Sequence, residues 1–152
     1  MTTTTKSVTD ILNGTIQSIK SVIPLPVKVD QPSLITEPVK IHSMGVLIGL
    51  TGDIRGQIII DGHVEDFQGL GASMFGMPLE GEMLESFAGE LGNMIAGNLS
   101  THISQLGHSM DITPPTVIVG ESKLSGFDRA LRLPLSLENV GKFIVVIMVD
   151  TA

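Results

Sequence analysis

Apolar residues recur every three or four positions along residues 7–23, SVTDILNGTIQSIKSVI, where Val8, Ile11, Leu12, Thr15, Ile16 and Ile19 share one side. That spacing predicts an amphipathic helix, stopped by Pro24 and Pro26, since a proline ring cannot continue it. Residues 1–6 are polar and read as a flexible tail, which leaves residues 7–152 as a single domain. Val27 to Ile35 reads as extended, with Pro32 interrupting it. The pattern then shortens. The runs Val46 to Leu50 and Gln57 to Ile60 flank a glycine-rich turn and predict a hairpin. Residues 64–76 predict a short helix closed by Gly76 and Pro78. A long helix follows from Gly81 to Leu106, roughly 40 Å at about 1.5 Å per residue. After Pro114 and Pro115 come strand-like runs at 116–121, 129–137 and 142–150. The stretch from Ile144 to Val149 is apolar throughout, the mark of a central strand buried on both faces. The order gives an α/β domain: a largely antiparallel sheet of about six strands, packed with two long helices and one short helix.

The long helix is poor in good helix formers. Gly89, Gly92 and Gly97 fall within nine residues, and each interior glycine costs about 1 kcal/mol relative to alanine. Stepping about 100° per residue from Leu91 gathers Leu84, Phe87, Ala88, Ile95 and Leu106 on one side, with Leu99 and Ile103 on its flank. Glu90 and Asn93 land on the far side, about 60° apart, where residues three apart have Cβ atoms about 5–6 Å from each other. Ser86, Gly97, Ser100 and Ser104 are their small neighbours, and Gly89 and Gly92 lie beside them. A surface lowered by glycine and serine lets another protein's backbone come close, which makes Ser86, Gly89, Gly97 and Ser100 candidate docking positions. Solvated polar residues with no role would also sit on such a face. Asn98 falls about 20° from Leu91 on the apolar side. It is therefore expected to be buried near His102, hydrogen-bonded to backbone, and to have a structural role in fixing the helix's rotation.

Composition narrows the function. The net charge is −7, with nine Lys and Arg and no Trp or Tyr, so the basic stripe and aromatic platforms of a nucleic-acid binder are missing. No apolar run reaches the ~20 residues of a membrane helix, and MTTTTKSVTD has no secretory pattern. The absence of cysteine removes a thiol nucleophile and is compatible with the cytoplasm. His42, His63, His102 and His108 are scattered along the chain without metal-ligand spacing, so no metal site is expected. Asp61, Glu65 and Asp66 with His63 read as a turn and a helix start. No serine forms a nucleophile motif with the histidines, and the methionines read as core filler. Gly49, Gly52 and Gly56 lie between strands without a following Lys-Ser/Thr pair, which excludes a phosphate loop.

Glu90-Leu-Gly-Asn93-Met-Ile-Ala-Gly97-Asn98 resembles the signature of the CheC/CheX/FliY chemotaxis phosphatases, whose active helix carries Glu-x-x-Asn. Gly49-Leu-Thr-Gly52-Asp-Ile-Arg-Gly56 is similar to that family's glycine-rich hairpin, Glu65 to Gly76 to its short helix, and Asp111 to Gly120 to the segment after the active helix. The resemblance runs from about residue 40 to the C-terminus, and its single Glu-x-x-Asn points to the CheX branch. Asp10-Ile-Leu-Asn13 is a faint echo with Asp where the family has Glu, and is not counted as a second site. The resemblance implies removal of the phosphoryl group from a phosphorylated CheY-type response regulator, with Glu90 and Asn93 catalytic. It also implies a homodimer and Mg²⁺ supplied by the receiver domain, with no cofactor bound by this chain. A non-catalytic module that docks a response regulator or a flagellar partner is the alternative. The chemistry suits the two side chains, because phosphoryl transfer is catalysed mainly by positioning and charge neutralisation.

Overall fold

The computed structural model describes residues 3–127 and 129–149, with side chains from Val8 onward. Its elements are α1 (Thr3–Val22), β1 (Val27–Val29), β2 (Ser33–Ile35), β3 (Val39–Ile41), β4 (Met44–Gly52), β5 (Gly56–Gly62), α2 (Val64–Phe75), α3 (Gly81–Gln105), β6 (Met110–Ile112), β7 (Thr116–Val119), β8 (Ser122–Leu124), β9 (Ala130–Leu137) and β10 (Gly141–Val149). The main sheet runs β1-β9-β10-β5-β4-β6, with β2 also on β9 and β7 also on β4, while β3 and β8 form a separate ribbon. Every described pairing is antiparallel. This is the α/β domain that the hydrophobic pattern predicts. It differs in two details. Strands number ten among the described residues rather than about six, because five of them are three-residue segments, too short to show a period of two. Helix α1 begins at Thr3, so residues 3–6, expected in the tail, are helical. Residues 1 and 2 lie outside the described residues.

Side chains on a strand alternate between faces, and here both faces are apolar. Val145 and Ile147 of β10, Ile58 and Ile60 of β5, and Val46, Ile48 and Leu50 of β4 join one core with α1, α2 and α3. Val146 and Met148 of β10 and Ile59 of β5 join a second core with Val39 and Ile41 of β3, packed by Leu124 of β8 and Phe127. The central position of β10, between β9 and β5, explains its unbroken apolar run. Pro134 sits inside β9 without costing a ladder bond. Its carbonyl accepts the Asp30 amide at 3.0 Å, so its nitrogen also points toward the edge where β1 has ended and β2 has not begun.

Helices α1 and α3 lie side by side and antiparallel. A Cβ on Gly14 would meet Leu99 and His102, while Ser18, one turn later on α1, meets Asn98. Ile11 and Ile19 of α1 are fully buried with Leu99 and Ile103 of α3, so the buried arc of α3 is wider than one stripe. Leu106, expected on that arc, is the C-cap residue and is about half exposed, at 48%. The hairpin tip is tied to the chain that follows α3. Asp53 N–H donates to the Ser109 carbonyl and Ser109 N–H donates to Asp53 Oδ2, both at 2.8 Å.

Burial at the α1–α3 seam sets a first expectation. Ile19→Ala should destabilise the fold by about 2–5 kcal/mol, the usual range for a fully buried aliphatic. The exposed neighbour Lys20→Ala should stay within about 0.5 kcal/mol. Urea unfolding of the two variants checks this, and equal midpoints would contradict the packing of α1.

Candidate active site on helix α3

The rotation of α3 about its own axis decides what it presents, and two glycines set it. A Cβ at Gly92 would lie 2.8 Å from Val46 Cγ1 and 3.1 Å from Ile48 Cδ1, both on β4. A Cβ at Gly89 would lie 3.2 Å from Val117 Cγ2 on β7, with Pro115 next to it. Both glycines are buried. They exist so that the helix backbone can approach the sheet, and Gly89 is not the docking position that the helical wheel made it. The helix propensity they give up is spent on packing.

Opposite this contact lies an exposed arc. Glu90 is exposed and Asn93 is half-buried, one turn apart on the same side. Neither side chain has a hydrogen-bond or ion-pair partner among the described residues. Gly97 also belongs to this arc, since a Cβ there would meet nothing within 4 Å. Ser86 is exposed beside them. Ser100 is different: its hydroxyl donates to the Met110 carbonyl, which ties α3 to β6 and gives this serine a structural partner instead of a free docking surface.

Asn98 departs from expectation. It is exposed rather than buried, and its partner is a side chain of α1, with Ser18 Oγ 3.2 Å from Asn98 Oδ1. The same hydroxyl lies 2.7 Å from the Gly14 carbonyl, and one O–H proton serves one of them at a time. Asn98 faces α1, about 140° around the helix from Asn93, and so does not join the Glu90–Asn93 pair. His102 is close by, against Gly14. The wheel turned Asn98 toward the α1 side, but its side chain stays exposed next to the buried Ser18.

Folding also assembles groups that sequence spacing did not. His42 and His63, twenty-one positions apart, bring their rings within 5.2 Å. Asp61 is a buried strand residue of β5 rather than a turn residue. Its carboxylate accepts the His42 N–H at 2.9 Å and contacts His42 Nδ1 at 2.7 Å. Both oxygens are thereby engaged in fastening the β3–β4 corner to β5. Glu65 and Asp66 do begin α2, and Asp66 Oδ2 accepts the His63 amide at 3.4 Å. No three His, Asp or Glu side chains form a metal-holding group among the described residues. Met77 and Met83, read as core filler, stand more than half exposed.

Comparison with known proteins identifies the family. The family model described as chemotaxis phosphatase CheX matches residues 44–127, a span that includes all of α3. The "CheY-P phosphatase CheX" of Thermotoga maritima is 35% identical over 131 residues, covering 84% of each chain. The chain belongs to the CheX family. Its fold agrees with solved structures. A CheX–CheY–BeF3–Mg²⁺ complex from Borrelia burgdorferi matches with a TM-score of 0.79 at 26% identity, over 95% of this chain and 97% of that one. A chemotaxis protein CheX from Desulfovibrio desulfuricans gives 0.79 at 19% identity, over 93% and 97%, a likeness of fold.

The two kinds of glycine on this CheX-family helix predict opposite responses to one substitution. Gly97→Ala adds a methyl in open space and should stabilise by about 1 kcal/mol, raising the melting temperature by about 2–4 °C. Gly92→Ala drives a methyl into Val46 and should destabilise by about 1–3 kcal/mol. Thermal unfolding of both variants reads the sign, and two shifts in the same direction would misplace the helix's rotation.

Proposed function

We propose that this chain hydrolyses the aspartyl phosphate of a phosphorylated CheY-type response regulator, and that Glu90 and Asn93 are the residues that enter the receiver's site. Membership of the CheX family and the identity to a CheY-P phosphatase make it a response-regulator phosphatase. One observation supports the choice of residues. A carboxylate and a carboxamide stand one turn apart on the exposed arc of α3 without partners of their own, on a helix whose rotation is set by the glycines beneath it. Polar side chains held ready in this way complete a site only when a partner arrives.

Hydrolysis of an acyl phosphate needs a water oxygen in line with the P–O bond that breaks, and little covalent help. A carboxamide can accept and donate hydrogen bonds at once, so Asn93 would hold that water through Oδ1 and Nδ2. Positioning of this kind removes much of the entropic barrier. Glu90 would pair with a lysine of the receiver and anchor α3 over the phosphorylated residue. The Borrelia complex contains CheY, BeF3 and Mg²⁺ together. The exposed arc here offers a single carboxylate around Asn93, a poor ligand set for a hard cation that wants several oxygens. In this reading the Mg²⁺ therefore belongs to the receiver. The charge neutralisation comes from the receiver's ion and lysine, and this chain adds the aligned water.

The same reading places the protein in the cytoplasm with its receiver, as a homodimer. Half-buried Leu47, Ile118 and Ile144, on the sheet face opposite the helices, are apolar surface that a second copy would cover. Sedimentation velocity at micromolar concentration should show a dimer.

Asn93→Ala should lower the rate of receiver dephosphorylation by on the order of 10²–10³, as loss of one placed polar group does, while leaving receiver binding intact. Near-wild-type turnover would remove Asn93 from the mechanism. Glu90→Ala should act first on engagement, raising the receiver concentration needed for half-maximal rate. An unchanged value would break the proposed lysine pairing. Wild-type binding without any turnover would favour a non-catalytic docking module.

A further inference from the structure

Beyond the Glu90–Asn93 pair, the start of α3 carries an apolar groove of about 500 Å³ whose walls come from two elements. Phe75, at the end of α2, and Met77 in the loop after it face Met83 on α3, over a floor of Leu79 and Phe87, with Glu82 and Ser86 on the rim. Phe75 is 59% exposed, Met77 52% and Met83 58%, and these are three of the six large apolar side chains that stand open among the described residues. Single exposed apolar residues are ordinary, whereas a cluster lining one depression marks a contact surface. The Phe75 ring meets Phe87 edge-on at 5.7 Å, so the wall is held in shape rather than collapsed.

Two further observations say what covers it. Met83 and Glu90 are seven residues apart, so the groove opens about 10 Å along α3 from Glu90 and within about 20° around the axis. A standard protein interface covers about 800 Å² per partner, a patch roughly 30 Å across. A receiver seated on Glu90 and Asn93 therefore reaches the groove. The second observation is charge. Between Arg55 and Lys123 the chain has no Lys or Arg and nine Asp and Glu, of which Glu80, Glu82, Glu85 and Glu90 belong to or border the first half of α3. This acidic rim favours a basic partner and repels a second copy of itself.

We propose that the groove is a second contact for the response regulator's receiver domain. It takes a bulky apolar side chain flanked by lysine or arginine on the receiver surface, and so sets the register of α3 across the phosphorylated site. This rests on the phosphatase reading above. The contact supplies binding and orientation and performs no step of the reaction, so its loss should raise KM more than it lowers kcat.

The test uses binding and turnover side by side on the full chain. Met83→Glu and Met77→Glu are exposed substitutions that leave the core intact, and Asp30→Lys, a charge change in the loop between β1 and β2, is the control. Binding is measured by calorimetry to a Mg²⁺-loaded, beryllofluoride-bound CheY-type receiver, and turnover on the phosphorylated form. We expect each Met→Glu variant to weaken binding and raise KM about tenfold, with kcat within twofold, and Glu82→Lys to weaken binding several-fold. The Asp30→Lys control should bind as wild type does. Unchanged binding in both Met variants with normal wild-type turnover overturns the groove and leaves the phosphatase reading standing. Wild-type binding without turnover, with the Met variants binding weakly, does the reverse. A loss of dimer in the Met variants overturns the proposal by assigning the groove to a second copy, and a wild type that neither binds nor hydrolyses overturns both.

Discussion

The structure depends on how closely α3 lies against the sheet. Where most helices keep a layer of side chains between backbone and sheet, this one presents two bare Cα atoms to Val46, Ile48 and Val117. A Cβ at Gly92 would clash with Val46 and one at Gly89 would press on Val117, so the contact fixes both the height of the helix and its rotation. Once the buried side is chosen, the far side follows from the 3.6-residue repeat, and Gly97 and the side chains of Glu90 and Asn93 face outward, the two side chains without partners among the described residues. Precision in the exposed pair is thus obtained from the buried face. The hydroxyl of Ser100 on the Met110 carbonyl and the reciprocal Asp53–Ser109 bonds hold the helix lengthwise, which leaves little freedom for it to slide.

Most of this architecture was legible before folding because the elements that carry it are long. The amphipathic repeat of residues 7–23, the 25-residue α3 and the apolar run of β10 each give several turns or alternations of evidence. The three-residue strands gave none, since their pairing is decided by neighbours such as β9 that come from a different part of the chain. The candidate pair was legible for the same reason as the helix: a wheel predicts direction well. It predicts surroundings poorly. Gly89 and Gly97 look alike in sequence, and only the sheet separates the buried one from the open one. Ser100 found a carbonyl on β6, and Asn98 found Ser18 on α1, contacts over 10 and 80 residues that no local pattern encodes. The groove beside Met83 was missed because a methionine's hydrophobicity says nothing about whether a neighbouring element covers it.

Charge and shape are divided along the molecule in a way that suits a partner bound at one face. The helical segment from α2 through α3 is acidic without a single balancing Lys or Arg, whereas Lys123 on the ribbon and Arg132 and Lys142 on the strands follow it. A long-range field of this kind steers an oppositely charged protein before contact is made, and Glu90 already stands exposed on α3 beside the half-buried Asn93. The surface proposed to face the receiver is thus both polarised and open.

Sheet order has a consequence for how the chain can be made. Strand β10 is the bridge between two blocks, β1 with β9 on one side and β5 with β4 on the other, and it is formed by residues 141–149. During synthesis, β4, β5 and the three helices emerge with their apolar faces ready and no central strand to join. Neither core can close until the chain has been extended past Val149, because Val145 and Ile147 complete one and Val146 and Met148 the other. Pairings between such distant segments are slow to find. The fold is therefore completed at once and late, after translation of its central strand, instead of growing outward from its first helix.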